Sequence, residues 1–243
     1  MGGNRPARAR RLSDLRGVFV TGTGTEVGKT VVAAVIARSA AERGERVAVF
    51  KPAVSGLDDY PATGAGAGWE RAGELPDQEL LRLAAGSSQS DDEIAPHRYG
   101  PPVSPHLGAE LAGEEIDPER LPFAAREAAA GAELLVCEGV GGFLVPLAPG
   151  YLVRDLAREL ALPVVIAAAP GLGTLNHTLL TLEAVRSAGL EAAVVVLTPW
   201  PARPGATELS NAETIAGLGE VRVERLPALE LARPESWPEL RVD

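Results

Sequence analysis

Short β-branched runs alternate along the chain with longer Ala- and Leu-rich segments of helical period. Val18 to Thr21 reads as a strand, Thr30 to Arg43 as a helix closed by Gly44, and Arg46 to Phe50 as a second strand. Asp77 to Ala85 predicts a short helix and Pro118 to Ala130 a longer one. Leu134 to Cys137 predicts a strand that ends at Glu138. Two more strands, Pro163 to Ala168 and Ala193 to Leu197, flank a helix running from about Asn176 to Ala188. These apolar runs do not alternate with polar residues, so both faces of each strand should be buried. Strands of that kind separated by helices imply a mainly parallel sheet. The expected fold class is therefore α/β, a single three-layer α/β/α domain. Two stretches interrupt the rhythm. Residues 57–76 are rich in Gly and Ala and predict a mobile surface loop, and "PPVSPHLG", 101–108, predicts a Pro-stiffened loop leading into a helix. There is no internal repeat and no interdomain linker.

The 243 residues suffice for one domain with a substantial core, and 46% apolar with 23% charged residues is ordinary for a globular protein. The net charge of −10 argues against a nucleic-acid binder. Residues 1–16, "MGGNRPARARRLSDLR", lack the apolar segment of a signal peptide and predict a disordered basic tail, leaving 17–243 as the domain. No apolar run reaches the ~20 residues of a membrane span, so no membrane partner is expected. A lone cysteine, Cys137, excludes an intrachain disulfide and fits the cytoplasm. It reads as core. His97, His106 and His177 have no metal-ligand spacing, so no zinc or iron site is expected.

All 23 basic residues but two are Arg; the exceptions are Lys29 and Lys51. Lys29 lies in "VFVTGTGTEVGKT", which runs strand, Gly-rich loop, helix. Backbone N–H groups in such a loop form an anion cradle at a helix N-terminus. Gly28-Lys29-Thr30 has the ending of a phosphate loop, although the interval from Gly22 is one residue longer than usual. Lys29 then reaches the β- and γ-phosphates, and the Thr30 hydroxyl can bind Mg²⁺. Lys51 ends the apolar run of "VAVFKPAVSG". In a parallel sheet all strand C-termini share one edge, where ligands bind. Glu138 ends its strand there too, ahead of Gly139, Val140, Gly141 and Gly142. Taken alone it reads equally as a metal ligand or a solvated strand end. Asp77 is a second candidate ligand, with a helix N-cap as the competing reading.

These motifs, in this order, resemble dethiobiotin synthetase. The resemblance rests on "VTGTGTEVGKT", "KPAVSG", "SPH" at 104–106, "EGVGGFLVPL" at 138–147 and "LGTLNHTLLTLEAVRSAGL" at 172–190. It implies a P-loop NTPase-like fold and a homodimer with substrate sites at the interface. It also implies an ATP- and Mg²⁺-dependent ligase that carboxylates 7,8-diaminononanoate with CO₂ and closes the ureido ring. By the same resemblance Lys51 and Lys29 are catalytic and Thr30, Asp77 and Glu138 hold the metal. Thr25, Glu26, Val27, Gly28, Lys29, Thr30 and Val31 line the phosphates, with Glu138, Gly139, Val140 and Gly141 beside them. Ser55, Gly173, Thr174, Leu175 and Asn176 bind substrate, the last four from the partner subunit. Thr198, Pro199 and Pro227 form the rim of the base site. Many relatives carry an Asn-Asp pair where this chain has Thr198-Pro199, so base recognition should run through backbone and accept nucleoside triphosphates other than ATP. The rival reading is a regulatory P-loop ATPase of the chromosome-partitioning or septum-positioning type. It would need a further lysine near the start of the loop, where Gly22, Thr23 and Gly24 stand. An amidotransferase domain of the cobyrinate or CTP synthase kind would need a glutaminase domain that this length cannot hold.

Overall fold

The computed structural model describes residues 16–60 and 68–242. The expected basic tail, apart from Arg16, and residues 61–67 of the 57–76 segment lie outside the described residues. Strand β1 (Gly17–Gly22) leads through the Gly-rich loop into α1 (Lys29–Glu42) and back as β2 (Val47–Phe50). A short β3 (Ala53–Val54) follows, then α2 (Asp77–Ala85), α3 (Asp91–Ile94) and β4 (His97–Arg98), which pairs with β3. Helices α4 (Pro105–Ala112) and α5 (Arg120–Ala128) precede β5 (Leu134–Glu138). The antiparallel pair β6 (Pro146–Ala148) and β7 (Tyr151–Leu152) leads into α6 (Val153–Leu160). The chain ends as β8 (Val164–Ala168), α7 (Thr174–Ser187), β9 (Ala192–Trp200), α8 (Ala206–Gly219) and β10 (Val223–Pro227), followed by an irregular segment.

Six strands form one parallel sheet in the order β10-β9-β8-β1-β5-β2. Period-2 alternation within each buried strand makes the two cores. Val18, Val20, Leu134 and Val136 face α1 and α2, whereas Phe19, Leu135 and Cys137 face α5, α6, α7 and α8. Phe19 and Phe50 are fully buried, each worth about 2–3 kcal/mol relative to exposure. The C-terminal segment closes the first core: Trp237 and Leu240 pack there, and Leu240 N–H donates to Ser39 Oγ at 3.1 Å.

Strand β2 is a sheet edge, and its free side is covered. The Gln89 side chain pairs with Val49 like a strand residue: Val49 N–H donates to Oε1 at 2.9 Å, and Nε2 donates to Val49 C=O at 3.1 Å. Beyond it, Lys51 N–H donates to Ile94 C=O at 2.8 Å.

The α/β three-layer fold with a parallel sheet follows the expectation. Helices α3, α6 and α8, strand β10 and the short strands β3, β4, β6 and β7 are not predicted by the sequence pattern, which also ends β9 early. Helix α6 carries Val153, Leu156, Ala157 and Leu160 at helical spacing, all buried, but its eight residues give a stripe too short to predict a helix. Helix α8 has a Ser-Asn-Glu-Thr-rich sequence with a weak apolar stripe. Strand β9 runs on to Trp200 rather than stopping at Leu197, because Trp200 pairs with Pro227 on β10.

Candidate active site

The order of strand addition reverses around β1: the chain first fills the β5 and β2 side, then the β8, β9 and β10 side. Such a reversal opens a crevice at the C-terminal ends of the strands. A cleft of about 620 Å³ lies there, with Lys29, Thr30, Lys51, Ser55, Asp77 and Glu138 in its wall.

The Gly-rich loop supplies the backbone half of the cleft. Glu26 at φ 60° and Gly28 at φ 84° both take the left-handed conformation, the geometry that turns successive N–H groups toward one point. Glu26 bears the cost of that conformation with a side chain on it, a strain that accumulates at ligand sites. Gly28 has no such freedom of replacement, since a Cβ there would lie 2.7 Å from the Thr198 methyl. Lys29 arches back along the loop and donates from Nζ to Gly24 C=O at 2.8 Å. Its buried position lowers its pKa, with Glu138 and Asp77 opposing the shift and Lys51 adding to it.

The other half is built from side chains of distant segments. Lys51, 4% exposed at the end of β2, donates from Nζ to Asp77 Oδ2 at 2.5 Å and to Glu138 Oε1 at 2.7 Å. Thr30 Oγ1 donates to the same Glu138 oxygen at 2.9 Å. Burial would lower the Lys51 pKa, but the charges and hydrogen bonds of Asp77 and Glu138 outweigh it and hold the ammonium above its ordinary value. Asp77 is held below the usual carboxylate range, its burial outweighed by the charge and the hydrogen bond of Lys51. Glu138 is fully buried, which pushes it up, with Lys51 offsetting part of the shift and Asp77 adding to it.

These groups fit a hard divalent cation. Glu138 Oε2 is buried without a hydrogen-bond partner among the described residues, while Oε1 of the same carboxylate meets the Thr30 hydroxyl and Lys51. Two carboxylates and a hydroxyl suit Mg²⁺, which keeps several waters and takes phosphate oxygens for the rest. Asp77 is the first helical residue of α2, the N-cap position being Pro76, and its carboxylate turns to Lys51.

Other expected residues fall into three places. Thr25, Glu26, Gly28, Val140 and Gly141 line the cleft with the groups named above. A Cβ on Gly139 would meet Val153 and Phe19, so its smallness serves core packing. Thr198 is buried with its methyl toward Gly28, and Pro199 and Pro227 are exposed beyond it on paired strands. Gly173, Thr174, Leu175 and Asn176 open α7, away from the cleft wall; Gly173 has φ 90°, and Thr174 N–H donates to Gly171 C=O at 3.2 Å. Val27 and Val31 pack partly into the core under the loop. Cys137 is fully buried, and burial pushes its thiol up, so it is inert as a nucleophile.

Some members of the site carried no local signal. Tyr60 lines the cleft, and burial with the Asp77 charge raises its phenol pKa. Asn211 on α8 donates from Nδ2 to the carbonyls of Pro170 and Gly171 at 2.9 and 3.2 Å, pinning the turn before α7. On that turn Leu172 is 99% exposed.

A family profile described as an AAA domain matches residues 16–235. The ATP-dependent dethiobiotin synthetase BioD of Anaeromyxobacter dehalogenans (strain 2CP-C) is 42% identical over 183 residues, 75% of this chain and 76% of that protein. The protein of the same name from Parafrankia sp. (strain EAN1pec) is 43% identical over 196 residues, 80% of this chain and 76% of that protein. That of Mycobacterium sp. (strain JLS) is 41% identical over 214 residues, 87% of each. Among solved structures, the Pyrococcus furiosus cell division ATPase MinD superposes with a TM-score of 0.51 at 16% identity, covering 87% of this chain and 83% of that one. That likeness shows the P-loop fold alone and does not favour a septum-positioning role. Identity above 40% along three quarters or more of the chain places it in the ATP-dependent dethiobiotin synthetase family.

Proposed function

We propose that the chain closes the ureido ring of dethiobiotin from 7,8-diaminononanoate, CO₂ and a nucleoside triphosphate. One amine adds to CO₂ and loses a proton, giving a carbamate. A carbamate oxygen takes the γ-phosphoryl group, giving a carbamic-phosphoric anhydride and a nucleoside diphosphate. The second amine attacks the carbonyl carbon, loses its proton and expels phosphate.

The observation that carries this reading is the convergence of Lys29 and Lys51 on one cleft with Thr30, Asp77 and Glu138. Carbamate and γ-phosphate are both anionic, so their approach needs positive charge held in place. The loop N–H groups and Lys29 hold the phosphates. Lys51 faces the transferring group from the opposite wall, with Ser55 beside the substrate. Thr30, Asp77 and Glu138 would hold Mg²⁺, which when bound neutralises charge on the phosphate oxygens.

The α7 turn supports a homodimer. Leu172, Asn176 and Leu180 recur at helical spacing and are all exposed, Leu172 at 99% and Leu180 at 56%. A second copy covering this face would bring the start of α7 to the neighbouring cleft, where its positive end and Asn176 can take the substrate carboxylate. No helix among the described residues is long and apolar enough to cross a membrane. The cytoplasm, where nucleoside triphosphate is made, is the proposed place of work.

The test is product formation from diaminononanoate, bicarbonate and Mg-ATP by purified, folded protein. Dethiobiotin with stoichiometric ADP is expected, and its absence would reject the reading.

A further inference from the structure

The two lysines are held in different ways. Lys29 is tied to a carbonyl of its own loop, while Lys51 is tied to both carboxylates of the metal set. Glu138 Oε1 already accepts hydrogen bonds from Lys51 and Thr30. The groups suited to a divalent cation are therefore claimed by an ammonium that is 4% exposed. Mg²⁺ binds carboxylate oxygens at about 2.1 Å. Lys51 holds one oxygen of each carboxylate, and a metal on the free Glu138 Oε2 would set a doubly charged neighbour a few ångströms from the ammonium, on the order of one carboxylate's width, in a poorly solvated place. Two cations that close repel strongly where water screens little, so loading the metal weakens the hold of the carboxylates on Lys51.

Resting on the metal-dependent reading above, we propose that Lys51 is a displaceable counter-ion, which holds Asp77 and Glu138 together and is driven into the cleft when metal takes its place. An ammonium on a four-carbon stem suits this exchange. It satisfies two carboxylates as a point charge and can rotate away, and Lys51 already borders the open cleft. A guanidinium would grip a carboxylate as a planar fork and release it less readily. The exchange adds a condition to the reaction: Lys51 reaches the carbamate and γ-phosphate only when the metal has been loaded. Nucleotide without metal meets a cleft whose second lysine is still held back.

A chain with only two lysines makes the test direct. Protein labelled with ¹⁵N-lysine should show two side-chain ammonium signals, assigned by the Lys29→Met and Lys51→Met variants. With ADP and EDTA the Lys51 signal should stay where it is without nucleotide, and with ADP and Mg²⁺ it should shift or be lost to exchange. An unchanged Lys51 signal in the presence of ADP and Mg²⁺ would overturn the proposal. The second measurement is Mn²⁺ affinity without nucleotide, read by electron paramagnetic resonance. Lys51→Met should bind Mn²⁺ about tenfold tighter than the native protein, and Lys29→Met, which shares the field of both carboxylates but holds neither by a hydrogen bond, should tighten it clearly less. Equal tightening by both variants would mean a general field effect and no exchange; weaker binding by Lys51→Met would also reject it. If Lys51→Met does not fold, the signal of the native protein decides. Neither measurement uses diaminononanoate or forms a product, so a failure of the synthetase reading shows separately.

Discussion

The phosphate loop and the carboxylate cluster face each other across one cleft and are built by opposite means. The loop is one consecutive stretch, shaped by left-handed backbone at Glu26 and Gly28 and by N–H groups at the start of α1. The cluster gathers Thr30, Lys51, Asp77 and Glu138 through hydrogen bonds that span 26, 87 and 108 residues of chain. A backbone site tolerates many side chains but few changes of dihedral angle. A side-chain cluster depends on each charge being answered, because a buried carboxylate or ammonium left alone costs several kcal/mol. The loop should therefore set nucleotide binding and the cluster should set turnover.

The largest expected effect is at Glu138. Glu138→Gln keeps the volume, removes the charge and leaves Lys51 with Asp77 alone. Turnover should fall about 10³-fold while ADP affinity in EDTA, measured by calorimetry, changes by less than about threefold. Loss of metal-free ADP binding would show that the two halves cannot be separated. Lys51→Arg comes next. Charge is kept but the compact donor is not, and single-turnover chemistry should slow about 10²-fold. Activity within twofold of native, on the order of assay error, would mean that any cation serves there.

Gly28→Ala attacks the other half. The left-handed dihedral should cost about 1–2 kcal/mol in thermal unfolding, and ADP affinity should fall about tenfold. Adding Thr198→Ala removes the methyl that the new Cβ meets at 2.7 Å but leaves the dihedral strained, so the pair should recover only part of the loss. Full recovery would make the loop a packing problem and erase the contrast. The smallest effect concerns the base. Thr198 points its methyl at Gly28 and Pro199 offers only a carbonyl, so kcat/KM with ATP, CTP and GTP should agree within about tenfold. A much stronger preference for ATP that vanishes in Thr198→Ala would place side-chain recognition at the base.

The same contrast explains what was legible in the sequence. The loop was readable because strand, glycines, Lys29 and Thr30 are contiguous. The limits of α2, Asp77 to Ala85, were readable from local pattern, and the chain does fold there as expected. That Asp77 answers Lys51 was not, since no local signal pairs side chains 26 residues apart. Tyr60 and Asn211 were invisible for the same reason: one acts by facing the cleft, the other by reaching two carbonyls on another element. Helix α6 had a stripe too short to predict a helix, whereas α8 had almost none. The glycines after Glu138 look alike in sequence, yet Gly139 is packed around by Val153 and Phe19, whereas Gly141 takes a left-handed φ of 60° against Val145 at the cleft wall.

The Gln89 clasp on β2 bears on how this molecule can grow. An edge strand with unanswered amides is a template on which a foreign strand can add. At Val49 both backbone groups are already answered by a single side chain, and the next N–H, at Lys51, is taken by Ile94. Sheet extension on that side is thereby closed off, at the strand whose last residue must keep Lys51 in register with Glu138. A strand adding there would tug at the catalytic ammonium itself. Replacing Gln89 should thus show first as a tendency to form fibres or gels, before any fall in the folded fraction.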